Sequence, residues 1–292
     1  MKNSIIFFLL LIPFIGKSQD GIKPIIDVHL HGYTEQSYFV APSGDGTMSP
    51  SSFEDFKSQI EAMIKKYNIV KVVNSSGTYD ASFNDIIIPG IEVYGKPPVD
   101  TIQFKKLVQE GKIKVFGEVG AQYMGLTLSD PMYDPYLRIC EQYEVPVAIH
   151  MGGGPPGVAF RNAPNFRLAL GDPFLIEDVN IKFPKLKLYI MHAGGMYYEH
   201  TLALMDHYKH VYTDLGVLLW EEGMVPIWTE DFLRKAKKAN LLDRVMYGSD
   251  PMVWPHAIEK SIQKLDSYEF LTEEDKRNIF YNNAVKFLNL KE

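Results

Sequence analysis

Eight short β-rich runs alternate with amphipathic or glycine-rich stretches along this chain, and no linker or low-complexity segment interrupts them. The runs are Ile25–His31, Ile69–Asn74, Ile86–Ile91, Ile113–Val119, Pro146–His150, Leu186–His192, Val211–Leu215 and Arg244–Gly248. Between them lie helical candidates such as Phe53–Tyr67, Thr101–Glu110, Asp134–Tyr143, Tyr197–Tyr208 and Pro226–Asn240. Strict β–α alternation predicts a parallel sheet, because strands joined by a crossover helix run in the same direction. Eight units in about 270 residues favour a closed (β/α)8 barrel of TIM type over an open doubly wound sheet. The tail from Trp254 to Leu290 predicts two further helices, with Thr272 and Asp275 spaced as a capping box. The expectation is one α/β domain over residues 20–292, a (β/α)8 barrel with extra C-terminal helices.

Residues 1–19 stand apart from that domain. Lys2 gives a basic start, Ile5 to Ile15 is apolar, and Gly16-Lys17-Ser18-Gln19 offers small residues for cleavage. This length suits a secretory signal peptide and falls short of the roughly 20 residues of a membrane span. The expectation is export to the periplasm or the exterior, with no stable membrane anchor after cleavage. Losing Lys2 and Lys17, and no acid, takes the net charge from −6 to −8. An acidic chain without a basic cluster is a poor match for a phosphate backbone, so nucleic acid is not an expected partner. Cys140 is the single cysteine, which excludes an intramolecular disulfide, and its helical setting predicts a buried, inert thiol.

Chemistry concentrates at the ends of the strand-like runs. In Asp27-Val28-His29-Leu30-His31, alternation places Asp27, His29 and His31 on one face, and Val28 and Leu30 on the other. Two imidazoles so spaced can hold one divalent ion. Four further runs end in a donor, namely Glu118, His150, His192 and Asp250. Each alone has a structural explanation, such as a helix N-cap for Asp250. In combination they offer enough N and O ligands for a Zn2+-like ion with one position open to water. Two long strand-to-helix loops, residues 32–51 and 151–164, fall on the catalytic face of such a barrel, a placement that favours lids over plain long connections.

This ordered set resembles the amidohydrolase superfamily, in particular the amidohydrolase-related branch that includes aminocarboxymuconate-semialdehyde decarboxylase-like proteins. The similarity runs from the first-strand His-x-His to Tyr281-Asn282-Asn283-Ala284. It implies a distorted (β/α)8 barrel with His29 and His31 as first-strand ligands, His150 and His192 as fifth- and sixth-strand histidines, and Asp250 as the eighth-strand acid. Gly117-Glu118-Val119-Gly120 is also similar to the fourth-strand motif of TatD-type nucleases, whose carboxylate bridges two metals. Gln122 and Tyr123 depart from the continuation of that motif. One or two divalent ions are therefore both open, with Zn2+ expected and Mn2+ the alternative.

The resemblance implies a metal-activated water as nucleophile, with Asp250 orienting it and carrying its proton to the leaving group. His192 either binds a second ion or stabilises an oxyanion. Asp27 lies deeper, as a support for a ligand or as a structural acid. Arg161 is a candidate fork for a substrate carboxylate. Tyr33 and Trp254 are candidate substrate-binding residues; with Trp220 and His256 they fall on expected catalytic-face loops, where aromatics either line the pocket or pin the loop. His200, His207 and His210 are expected to face solvent. Ser249 lacks a Gly-x-Ser-x-Gly elbow, and Gly152-Gly153-Gly154 lacks a following Gly-Lys-Ser/Thr. The leading expectation is hydrolysis of a small-molecule C–O or C–N bond in a lactone, ester or amide. The alternative is nonoxidative decarboxylation of a small carboxylic acid; a TatD-like nuclease or a non-catalytic binding barrel ranks lower. A small molecule is the expected partner, and a homodimer the assembly considered.

Overall fold

The computed structural model describes residues 22–76 and 85–291, so the expected signal peptide lies outside the described residues. Eight parallel strands follow one another in sequence order around the sheet. They are β1 (Ile25–His31), β2 (Ile69–Ser76), β3 (Ile87–Val93), β4 (Val115–Val119), β5 (Val147–Ile149), β6 (Leu188–Ile190), β7 (Val211–Asp214) and β8 (Val245–Met246). Backbone bonds close the ring between first and last strands: Val28 N donates to Tyr247 O at 3.0 Å, and Asp250 N to His29 O at 2.9 Å. The expected (β/α)8 barrel is therefore the fold of this chain.

Helices wrap the sheet as α1 (Phe53–Lys66), α2 (Thr101–Gln109), α3 (Asp134–Tyr143), α4 (Glu177–Lys182), α5 (Tyr198–His207), α6 (Val225–Lys238) and α7 (His256–Asp266). In α1 the side chain of Ser52 caps the first turn by accepting from Asp55 N, and Phe56, Ile60 and Ile64 form the buried stripe. The tail continues through α8 (Glu273–Arg277), a π turn at Asn278–Asn282 and α9 (Asn283–Leu288). Thr272 and Asp275 form the expected capping box at the start of α8.

Two large apolar clusters hold the barrel. In one, Leu30 of β1 packs with Phe56, Ile60, Phe104, Leu137 and Phe232 between sheet and helices. In the other, Ile26, Val28, Val115, Tyr189 and Met246 pack with Ala284 and Phe287 of α9. Val28 and Leu30, expected on one face, thus join different clusters. The pairing of β1 with β2 slips between Asp27 and Leu30, which breaks the simple period of two. Cys140 is fully buried in α3, and burial raises its thiol pKa, as an inert side chain requires.

Candidate metal centre

The polar cluster sits at the C-terminal end of the strands, the face on which barrel enzymes build their sites. His29 and His31 project from β1 and Glu118 from within β4. The other three donors lie beyond their strands, not at the last strand residue as the sequence suggested. His150 follows β5 directly, His192 follows β6 within a short 3-10 segment, and Asp250 lies in the loop after β8. Two of them occupy left-handed backbone, His192 at φ 59° and Asp250 at φ 43°. Non-glycine residues rarely adopt that region, and such conformations concentrate at functional sites. Here they turn both side chains back over the barrel axis.

Glu118 is the centre of the cluster. Its Oε2 lies 3.4 Å from His29 Nε2 and 3.2 Å from His31 Nε2. Its Oε1 lies 2.5 Å from His150 Nδ1 and 3.9 Å from His192 Nε2. Asp250 reaches His31 Nε2 with Oδ1 at 3.2 Å and His29 Nε2 with Oδ2 at 3.6 Å. Three overlapping groups have donor atoms within 4.8 Å of one another: His29, His192 and Asp250; His29, His31 and Glu118; and Glu118, His150 and His192. Five of the six expected metal ligands are buried histidine or glutamate side chains, and Asp250 completes the set.

Electrostatics bind the cluster together even without an ion. Burial opposes charge on His31, yet Asp250 and Glu118 carry its pKa up to about 10. Burial likewise opposes ionised Asp250, but His29 and His31 hold it down to about 2. Glu118 is held well below the usual carboxylate range by the four histidines, against its burial. His29 Nε2 and Asp250 Oδ1, both buried, make no hydrogen bond among the described residues. Orphaned donors of this kind in an N/O set fit a divalent cation, which would replace protons on the imidazoles.

Two acids missed in the sequence stand behind this shell. Asp214, the last residue of β7, accepts from His192 N at 2.8 Å and Gly216 N at 3.0 Å, and its Oδ2 lies 3.1 Å from His29 Nδ1. The signal was the single acid ending Val211-Tyr212-Thr213-Asp214. Glu92, near the end of β3, approaches His31 Nδ1 at 3.6 Å. The third β-rich run of the sequence stops at Ile91, whereas β3 continues to Val93 and so includes Glu92. Asp27 takes the structural role: it accepts from His29 N, Ser249 N and Ser249 Oγ, tying β1 to the last loop.

Tyr33, two residues beyond His31, is buried edge-on against Phe56, and its hydroxyl pKa is raised by burial and then by the charges of Asp250, Glu92 and Glu118. Trp254 donates its Nε1 to Ala41 O at 2.9 Å, and Trp220 donates to Ser249 O at 2.7 Å, so both pin loops. Arg161 is exposed and donates to Pro156 O in its own loop at 2.5 Å. His256 is half-buried at the start of α7. His200 and His210 do not simply face solvent: the first stacks on Phe174 and lies 2.7 Å from Asp172, and the second lies 3.0 Å from Asn180. A separate groove of about 600 Å3 lies between α2 and α3, lined by Ile102, Lys105 and Arg138, and carries no comparable donor set.

The sequence profile of the family described as Amidohydrolase matches residues 26–290. The chain belongs to the amidohydrolase family. It is an enzyme of that superfamily, in which hydrolases and decarboxylases share the barrel. Among solved structures, this amidohydrolase is similar to an uncharacterised TIM-barrel protein from Bordetella bronchiseptica, at 16% identity and TM-score 0.63 over 91% of this chain and 99% of that one. A probable 2-pyrone-4,6-dicarboxylic acid hydrolase from Acinetobacter baumannii matches at 15% identity and TM-score 0.63, with coverage of 91% and 99%. The 5-carboxyvanillate decarboxylase of Novosphingobium aromaticivorans, solved with manganese, matches at 16% identity and TM-score 0.56, with coverage of 79% and 80%. No curated protein matches the sequence.

Proposed function

We propose that this amidohydrolase hydrolyses a C–O or C–N bond of a small molecule such as a lactone, ester or amide. The observation that carries the reading is Asp250: a buried carboxylate held beside His29 and His31, with Oδ1 free of hydrogen bonds among the described residues. A bound divalent cation supplies Lewis acidity to a carbonyl and a water that ionises near neutral pH. His29, His31 and Asp250 would hold it, with Glu118 shared. Asp250 Oδ1 then takes the proton of the attacking water and returns it to the departing O or N. His192 commits Nδ1–H to Gly216 O at 3.1 Å, so its Nε2, opposite Glu118 Oε1, would hold a second ion through its lone pair or, in the protonated ring, donate to a developing oxyanion.

The two oxygens of Glu118 serve different histidine pairs, which favours two ions over one. Zn2+ is the ion we favour, with Mn2+ the alternative supported by the manganese-bound neighbour. Elemental analysis of purified protein gives the metal identity and number directly.

Nonoxidative decarboxylation is the second reading, because neighbours include decarboxylases of 5-carboxyvanillate and 2,6-dihydroxybenzoate. Incubation of metal-loaded protein with lactone, ester and aromatic-acid panels separates the two. Release of carbon dioxide without a hydrolysis product would overturn the hydrolase reading. Export through residues 1–19 is part of the same proposal, tested by sequencing the N-terminus of the mature protein.

A further inference from the structure

The charge of the catalytic face singles out a class of substrate. The loops that follow the strands carry few cations: Lys96 after β3, and Arg161 and Arg167 after β5. The loop between β2 and β3 extends beyond the described residues, and its sequence from Gly77 to Asn84 holds no Lys or Arg. Arg161 is turned onto Pro156 O, and Arg167 donates to Pro164 O at 2.9 Å and Phe166 O at 2.7 Å. Lys260, which reaches this face from α7, lies between Asp45 at 2.8 Å and Glu222 at 3.5 Å. The ion pairs of Glu92, Glu118, Asp214 and Asp250 among the described residues are all with histidines.

Glu92 differs from the other three acids. Its side chain is 29% exposed, against 3% for Glu118 and 5% for Asp250, so solvent and a solute reach it beside His31. Cations seated among the ligand groups neutralise Glu118 and Asp250 first, whereas Glu92 belongs to none of those groups. An exposed aromatic follows it closely in the chain: Tyr94, two residues on, is 42% exposed and packs edge-on against Tyr123, with ring centres 5.5 Å apart. A carboxylate beside aromatic faces recognises positive charge and repels carboxylates.

Resting on the hydrolase reading, we propose that the substrate carries a cationic group, a protonated amine or quaternary ammonium, which docks against Glu92 and Tyr94 while the scissile bond lies over the metal centre. This is a charge preference opposite to that of an enzyme built for carboxylic acids.

The test uses the metal-loaded full chain and two arms. In the first, calorimetry compares benzyltrimethylammonium, benzyl alcohol and benzenesulfonate, the last chosen as a weak metal ligand. The cation should bind at least about tenfold more tightly than the sulfonate, with the gap narrowing as salt rises. Glu92→Gln should bring the cation to within about twofold of the neutral alcohol, and Glu92→Lys should invert the order. Tighter binding of the sulfonate, or an unchanged preference in both variants, overturns the proposal. In the second arm, phenyl acetates carrying a ring ammonium, methyl or carboxylate group are offered as substrates. Hydrolysis fastest on the ammonium ester supports the proposal, and hydrolysis fastest on the carboxylate ester overturns it. Intact cation binding with no hydrolysis of any ester supports the cation site and counts against the hydrolase reading alone.

Discussion

Asp214 Oδ2 lies 3.1 Å from Nδ1 of His29, and both side chains are fully buried. That contact fixes which ring nitrogen of His29 faces the metal site, because Nδ1–H is committed to the carboxylate and Nε2 is left for the ion. The same carboxylate holds the backbone of His192 through its other oxygen. Asp214→Asn is expected to weaken metal retention about 10–100-fold, the usual effect of losing such a partner. Metal release into a chelator, followed by elemental analysis, measures it. Retention equal to that of the unaltered chain would remove Asp214 from its positioning role.

Gly216 is required by space. A Cβ there would lie 2.6 Å from His29 Nδ1, closer than such atoms approach one another, and 3.2 Å from His192 Nδ1, a tight contact. Gly216→Ala should therefore push both imidazoles out of register, lowering metal content and activity together while the barrel stays folded. Circular dichroism and metal analysis on the same sample report the two halves of that outcome.

Asp250→Asn keeps the size of the side chain and removes its capacity to accept a proton. The expected loss is about 10²–10⁴-fold in kcat. With metal content held equal by loading, the loss should persist across substrates of differing size. A variant that regains full rate once loaded would show that Asp250 serves only to hold the ion.

Burial holds the pKa of His210 below its ordinary value of 6.5. As pH falls through 6.5, the unfolded chain takes up a proton at this ring before the folded protein does. The contribution to stability is thus fully present above 6.5 and is lost as pH falls toward the folded value. Urea unfolding of the unaltered chain should lose stability between about pH 7 and about pH 5 more steeply than that of His210→Gln. Equal slopes would refute the assignment.

The barrel was legible because each strand is a short apolar run between glycine-rich and amphipathic segments, and these local patterns survive into the fold. The centre was legible where a ligand interrupts an apolar run, as His29, Glu118 and His150 do. Positions set by tertiary contact were not. His192 and Asp250 leave their strands in left-handed backbone, a state that sequence does not mark for non-glycine residues. Asp214 looks like any strand-ending acid until closure of the ring brings His29 of β1 to it across the seam. Trp254 shows the same limit: its place in a long loop does not reveal that its indole N–H is committed to Ala41 O.

The bond from Asp250 N to His29 O joins the first strand to the loop after the last, at the seam of the ring. The two residues are also partners at the metal centre, where His29 Nε2 and Asp250 Oδ2 lie 3.6 Å apart, so the ion and the seam depend on the same pair of residues. A nascent chain that has not yet produced Asp250 has strands but no complete nest for the cation. Metal uptake is in consequence a signal of completed assembly, and a chelator acts on this protein as a probe of whether its two ends have met.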